Sequence, residues 1–278
     1  MQFFRLTVLA FASLLAVPAL AQQGTRAADI DRLYDALGLP EIIAIMQQEG
    51  IDYGQELAAE MLPGGGGADW RNMVAAIYDL DTMEEEVRGA FAEGIVDADL
   101  DSMLDFFTSD RGARIIGLEI TARRAMLDES VEEASRDAAA LQIMDETPRY
   151  QAIRAFIETN DLIENNVVGA LNSSYAFYMG LIDGGVMPPG VTGDTALNDV
   201  WAQEPEIRDK TTEWVYAFLL MAYQPLSDED LAAYQAFSET AAGQALNGAL
   251  FTAFDGMFED ISRALGLAAS RFMQTQEL

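Results

Sequence analysis

Apolar residues recur every three to four positions through most of this chain, and alternating patterns of the kind that make strands are rare. The segment ADIDRLYDALGL places Ile30, Leu33, Tyr34 and Leu37 on one helical face. Pro40 suits the first turn of a second helix carrying Ile42, Ile43, Met46, Leu57, Met61 and Leu62, with Gly50 weakening its middle. Gly64 to Gly67 form a break. From about Asp69 the residues Trp70, Met73, Val74, Ile77, Leu80, Met83, Val87 and Phe91 read as one continuous stripe, which predicts a single helix ended by Gly94. A short helix with Leu100, Met103, Leu104 and Phe107 on its face, and Phe106 alongside, follows. Ser109 then reads as the N-cap of a long helix whose stripe is Ile115, Leu118, Ala122, Ala125 and Met126. That helix turns polar near VEEASRD, and Pro148 marks a boundary.

The order then recurs. A helix over about 149–157 precedes one with Leu162, Val167, Val168, Leu171, Tyr175 and Met179, and GGVMPPG breaks the chain as LPGGGG does earlier. A helix holding Trp201, Trp214, Phe218 and Leu219 comes next, closed by Pro225, and Ser227 starts another short helix. A final long helix is predicted from about Thr240 toward Phe272. The pattern predicts an all-α protein of two tandem related units of about five helices each, packed as one or two bundles, over 22–147 and 148–278.

The duplication is legible residue by residue. DADLDSMLDFFTSDRGARIIGLEITARRAML aligns without a gap with DEDLAAYQAFSETAAGQALNGALFTAFDGMF at the constant offset of 131 that separates Gly112 from Gly243. The offset pairs Asp99 with Asp230, Leu100 with Leu231, Phe106 with Phe237, Gly117 with Gly248 and Met126 with Met257. Gly112 and Gly243 lie one turn inside a helix, where Gly costs about 1 kcal/mol relative to Ala. Close approach of the preceding helix, with Phe106 or Phe237 resting over the missing side chain, would offset that cost. Leu100, Phe106, Gly112, Leu231, Phe237 and Gly243 are thus a structural motif.

The pattern acidic–Leu–x–x–apolar–x–x–Phe, then Ser or Thr, then Gly three residues on, resembles the exported bacterial family called domain of unknown function 2059. The residues are Asp99, Leu100, Met103, Phe106, Ser109 and Gly112, and again Asp230, Leu231, Tyr234, Phe237, Thr240 and Gly243. The resemblance covers roughly thirty residues per copy. It implies an all-helical fold and export, and no reaction. The aromatic that often follows the family's phenylalanine is Phe107 in the first copy and Ser238 in the second.

The first residues bear on compartment. Arg5 precedes the apolar run LTVLAFASLLAV, and Ala19-Leu20-Ala21 supplies a small–x–small pattern. We read 1–21 as a signal peptide cleaved after Ala21 and expect a periplasmic protein with no transmembrane span in the mature chain. There is no Cys and no His. Ser-His-Asp, Cys-His and His-based zinc chemistry are therefore excluded, while carboxylate-only chemistry remains open. With 46 acidic residues against 16 basic ones the formal charge is −30, and loss of Arg5 with the leader takes it to −31. Such a field repels nucleic acid and anionic membrane surfaces.

Asp97, Asp99 and Asp101 alternate like the start of a calcium loop, but Ser102 and Thr108 stand where that loop needs Gly and Glu, so helix capping is the better account. No phosphate-binding GxxxxGK[ST] loop is present. The acid runs Glu84-Glu85-Glu86 and Glu132-Glu133 read as solvated. Two aromatic-rich segments stand out instead. Tyr175, Phe177, Tyr178 and Met179, with Trp214 and Phe218, put apolar groups on more than one helical face and form a possible hydrophobic groove. The first-half counterpart IDYGQELAAEML is more polar, which places the groove in the second unit. No catalytic residue, metal site or cofactor is assigned. The expected role is a non-enzymatic interaction or envelope-associated module with an unknown protein partner. A carrier of a small apolar ligand is the alternative, and a carboxylate enzyme stands third.

Overall fold

The computed structural model describes residues 16–275, so most of the expected leader, residues 1–15, lies outside the described residues. The fold is all-α. Its helices are α1 (Ala16–Ala36), α2 (Leu39–Met61), α3 (Gly67–Ile77), α4 (Leu80–Gly94), α5 (Leu100–Phe107), α6 (Asp110–Ala125) and α7 (Glu129–Met144). After these come α8 (Pro148–Thr159), α9 (Leu162–Asp183), α10 (Gly193–Ala202), α11 (Glu204–Ala222), α12 (Asp228–Ser238) and α13 (Ala241–Thr275).

Three stripes that read as continuous in sequence are broken, and each break has a local cause. The stripe from Trp70 to Phe91 divides at Tyr78, because Asp79 caps α4 by accepting hydrogen bonds from the Thr82 N–H at 3.0 Å and hydroxyl at 2.7 Å. The long helix after Ser109 ends at Ala125, and Asp128 starts α7 by accepting from the Ser130 N–H at 2.9 Å. Trp201 and Trp214 fall on separate helices because Pro205 sits in the first turn of α11. The expected count of about five helices per half is exceeded for this reason. Ser109, read as an N-cap, and Asp99, Ser227 and Thr240, read as helix starts, each accept a hydrogen bond from the backbone N–H three residues on. In the glycine break, Gly64, Gly65, Gly66 and Gly67 all have positive φ, between 67° and 70°.

Two cores organise these helices. The first gathers α1 to α5 around Leu33, Tyr34, Trp70, Val87, Phe91 and Met103, and it is completed by Ala253, Met257, Leu265 and Ala269 of α13. The second joins Ile115 of α6 and Ala139 of α7 to Ile153, Phe156, Ala217, Tyr223 and Leu231 of α8, α11 and α12. Each core therefore mixes helices from before and after Pro148. Helices α9 and α13 lie against each other along most of their length. Their backbones nearly touch: a Cβ on Gly180 would stand 2.3 Å from the Arg263 carbonyl oxygen, and one on Gly266 would stand 2.1 Å from that of Phe177.

The two cores meet at Phe106 and Tyr234, which pack against both; the ring of Phe106 stacks on Phe237 and on Tyr234, with Phe107 and Phe156 close by. Arg111 adds an ion pair to Asp230 at 2.7 Å beside them. The local geometry on the two sides is the same. A Cβ on Gly112 would fall 2.2 Å from the Phe106 carbonyl oxygen, and one on Gly243 would fall 2.3 Å from that of Phe237. What fills the space of the missing side chain is thus the backbone of the preceding helix and not the phenylalanine ring. Ser109 and Thr240 tighten the same corners by donating a hydroxyl hydrogen bond to those carbonyls, each at 2.6 Å. Phe107 is fully buried among these rings and faces no groove.

Candidate functional site

Between α2, α6 and α11 on one side and α9 and α13 on the other runs an apolar groove. It consists of two adjoining cavities of about 600 and 610 Å³ that share Met46, Ala170, Ser173 and Phe258 as lining. The floor follows from the sequence of α13, which carries a second apolar row. Ala253, Met257 and Ile261 enter the first core, while the partly open Phe251, Phe254 and Phe258 face the groove. One wall is α11, whose Trp214 and Phe218 stack face to face with ring centroids 5.2 Å apart. The opposite end is closed by Tyr53 and Tyr78, with Phe177 and Tyr178 of α9.

Of the groove residues anticipated from sequence, Phe177, Tyr178, Trp214 and Phe218 line these cavities. Tyr175 and Met179 do not. They lie on another face of α9, beside Glu259 and Arg263 in a separate recess of about 380 Å³ and against Gly193 at the start of α10. The groove is also not confined to the second half. Met46, Gly50, Tyr53 and Met61 of α2 supply one wall, Tyr53 and Met61 coming from the segment that reads as more polar, while Ile43, Leu57 and Ala58 of the same helix enter the first core.

Two carboxyl groups line the larger cavity. Glu119 of α6 keeps part of its side chain open to the groove, while its carboxyl end is enclosed. It accepts a hydrogen bond from the Tyr223 hydroxyl and is bonded to Tyr234 as well. Burial raises its pKa from 4.5 to about 7, against the pull of the two tyrosine donors, which favour the charged form. Burial, then the neighbouring carboxylate, push Tyr223 and Tyr234 well above their ordinary values. Asp255 of α13 lies over Gly169, where a Cβ would come 2.5 Å from its Oδ1. Its pKa is raised by burial and then by Glu259.

Arg123, one turn along α6 from Glu119, also lines this cavity. Its guanidinium donates from Nε and Nη2 to Glu49 of α2, at 3.1 and 2.7 Å, and lies 5.7 Å from the centre of the Trp214 ring. This clamp ties α2, α6 and α11 together at the groove mouth. The groove can therefore enclose an elongated apolar body, offer several aromatic faces, and exchange one proton near neutral pH at Glu119.

Sequence reading missed Glu119, Asp255 and the α13 phenylalanines. Glu119 had a signal: it lies four residues after Ile115 and three before Ala122, on the buried stripe of its helix. Among the described residues, no helix is long and apolar enough to cross a membrane. In comparisons with known families, curated proteins and solved structures, no match to the chain is found.

Proposed function

We propose that the protein is an exported, non-enzymatic carrier that holds a small apolar ligand in the groove between α2, α9, α11 and α13. The observation that supports this over the interaction-module reading is the continuity of the two cavities, about 600 and 610 Å³, across Met46, Ala170, Ser173 and Phe258. Ligand sites are typically concave, largely apolar and a few hundred Å³ or more in volume. Export rests on the leader reading of residues 1–21, with cleavage after Ala21. Arg26, just downstream, anchors α1 by donating to the carbonyls of Ile95, Val96 and Ala98. Two tandem units, over 22–147 and 148–278, and the resemblance to domain of unknown function 2059 belong to the same proposal.

The test is saturable binding of Nile red, a neutral apolar dye, to the purified protein. Ala170→Trp and Ser173→Trp fill the groove at the positions both cavities share, so each should abolish dye binding while leaving helix content intact. Trp214→Ala and Tyr178→Ala should weaken it, and Tyr175→Ala should not. Dye binding that survives both filling variants overturns the carrier reading.

The interaction reading has its own support in Leu197 and Trp201, one turn apart on α10 and 43% and 58% exposed. Loss of partner capture from an envelope extract by Trp201→Ala, with dye binding unchanged, would move the function there. An enzyme reading would fall on Glu119, whose raised pKa suits proton transfer. It is set third because acid–base catalysis needs further groups positioned around a reacting atom, and the walls around Glu119 are mostly apolar.

A further inference from the structure

The carrier reading leaves open what the head of the ligand is, and the charges around the groove bear on it. The larger cavity is lined by two carboxyl groups, Glu119 and Asp255, and by one cationic side chain, Arg123. Arg123 already has its Nε–Nη2 edge on the two oxygens of Glu49 and its face toward Trp214. An anionic head would have to compete with that clamp. Glu119 is held by two tyrosine hydroxyls, which supply hydrogen bonds without a compensating positive charge. A carboxylate has room for further donors beyond two hydrogen bonds. Around these acids stand Trp214, Phe218, Phe251, Phe254 and Phe258, ring faces that attract organic cations once water is displaced. A whole-chain charge of −30 adds a field of the same sign.

We infer that the groove takes ligands with an apolar or aromatic body and a cationic centre, the centre lying between Glu119 and Asp255 and the body along the α13 phenylalanines. The raised pKa values of the two acids agree with this. Their charged forms are penalised by burial, and a bound cation would relieve that penalty.

The inference rests on the carrier reading, and one competition experiment separates them. Nile red bound to the full-length purified protein is displaced by tetraphenylphosphonium or by tetraphenylborate, ions of nearly the same shape and opposite charge. The phosphonium should compete at least about tenfold better, the effect expected of one partly buried charge contact. Glu119→Gln with Asp255→Asn should remove most of that preference while Nile red still binds. Glu84→Gln with Glu85→Gln makes the same change in charge on another helix and should leave the preference intact. About 0.5 M salt, which screens surface fields far more than enclosed pairs, should also leave it largely intact. Equal competition by the two ions overturns the inference. So does a preference that salt abolishes and the groove variants do not. Failure of Nile red to bind at all overturns the carrier reading beneath it.

Discussion

The rings of Phe106 and Phe237, at equivalent places in two stretches of sequence 131 residues apart, stack on each other with centroids 4.5 Å apart and planes 20° from parallel. Each copy of the motif thus supplies half of one contact, and that contact lies where Phe106 and Tyr234 bridge the two cores. Tyr234 and Phe107 complete the cluster.

Phe106→Ala and Phe237→Ala should each cost about 2–3 kcal/mol, near the lower end for core phenylalanines because both rings are only partly buried. The double variant should lose about 1 kcal/mol less than the sum of the single losses, since removing either ring already removes the stack. Urea unfolding of the four proteins measures this, and strict additivity would show that the rings do not support each other.

Glycine-to-alanine changes separate close approach from simple helix propensity. Gly112→Ala and Gly243→Ala should each destabilise, because the new methyl would meet a backbone carbonyl at 2.2–2.3 Å. Gly117→Ala and Gly248→Ala, one and a half turns further along the same two helices, meet open space. They should stabilise by up to about 1 kcal/mol. Thermal melts of the four variants would contradict this account if all moved in one direction.

Glu119 makes stability depend on pH in a stated sense. Its carboxyl has a pKa of about 7 in the folded chain against 4.5 ordinarily. Below pH 4.5 it is protonated in both states and contributes nothing to the slope. Between 4.5 and 7 the unfolded chain releases the proton while the folded chain keeps it, so stability falls as pH rises. Above 7 the loss is complete, on the order of 3 kcal/mol. Glu119→Gln should flatten the decline over that window. The capping carboxylates Asp99 and Asp128 are held below their ordinary 3.8 by Ser102 and Ser130. They act in the opposite sense and at lower pH, whereas Asp255 and Glu86, both raised by burial, act in the same sense as Glu119, so the change in slope on substitution, and not the slope itself, reports Glu119. An unchanged slope in Glu119→Gln would show that this carboxyl is not the group responsible.

Glu49→Gln should change ligand preference without touching the apolar lining. Loss of the carboxylate weakens the hold on Arg123, whose guanidinium then faces the groove mouth. Competition by tetraphenylborate should improve several-fold against the parent protein. No gain would mean that Trp214 and the helix geometry hold Arg123 away from the ligand unaided.

The helical class and most apolar stripes were legible because a period of 3.6 reports burial directly, and Trp70, Val87, Ile115 and Ala253 are all inside. The breaks at Asp79, Asp128 and Pro205 were present in the sequence but outvoted: an apolar stripe continues across a capped corner when the second helix packs on the same core. The motif glycines were legible as sites of close approach, though not the group that approaches. The groove was half legible. Phe177, Tyr178, Trp214 and Phe218 announce themselves as surplus aromatics. Met46 and Gly50 do not, because a groove wall is set by which helices become neighbours, and that is a long-range property. Asp255 carries no local signal, since its role depends on the absent side chain of Gly169, 86 positions away.

The place of α13 in the fold has a consequence for how the chain reaches it. Residues 242–269 of α13 complete a core whose other buried residues come from before 108 except for Ile116, Ile120 and Leu181. Until that late helix has been synthesised, Trp70 lacks its contact with Phe272 and the α1–α5 core lacks the wall that Ala253, Met257 and Leu265 supply. The N-terminal third emerges with that face of its core open, and the contacts to α13 that cover it close over separations of more than 150 residues. Such distant closure is slow and leaves apolar surface open for a long interval. The protein must therefore be kept from aggregating as an incomplete chain, and folding waits on its C-terminal helix.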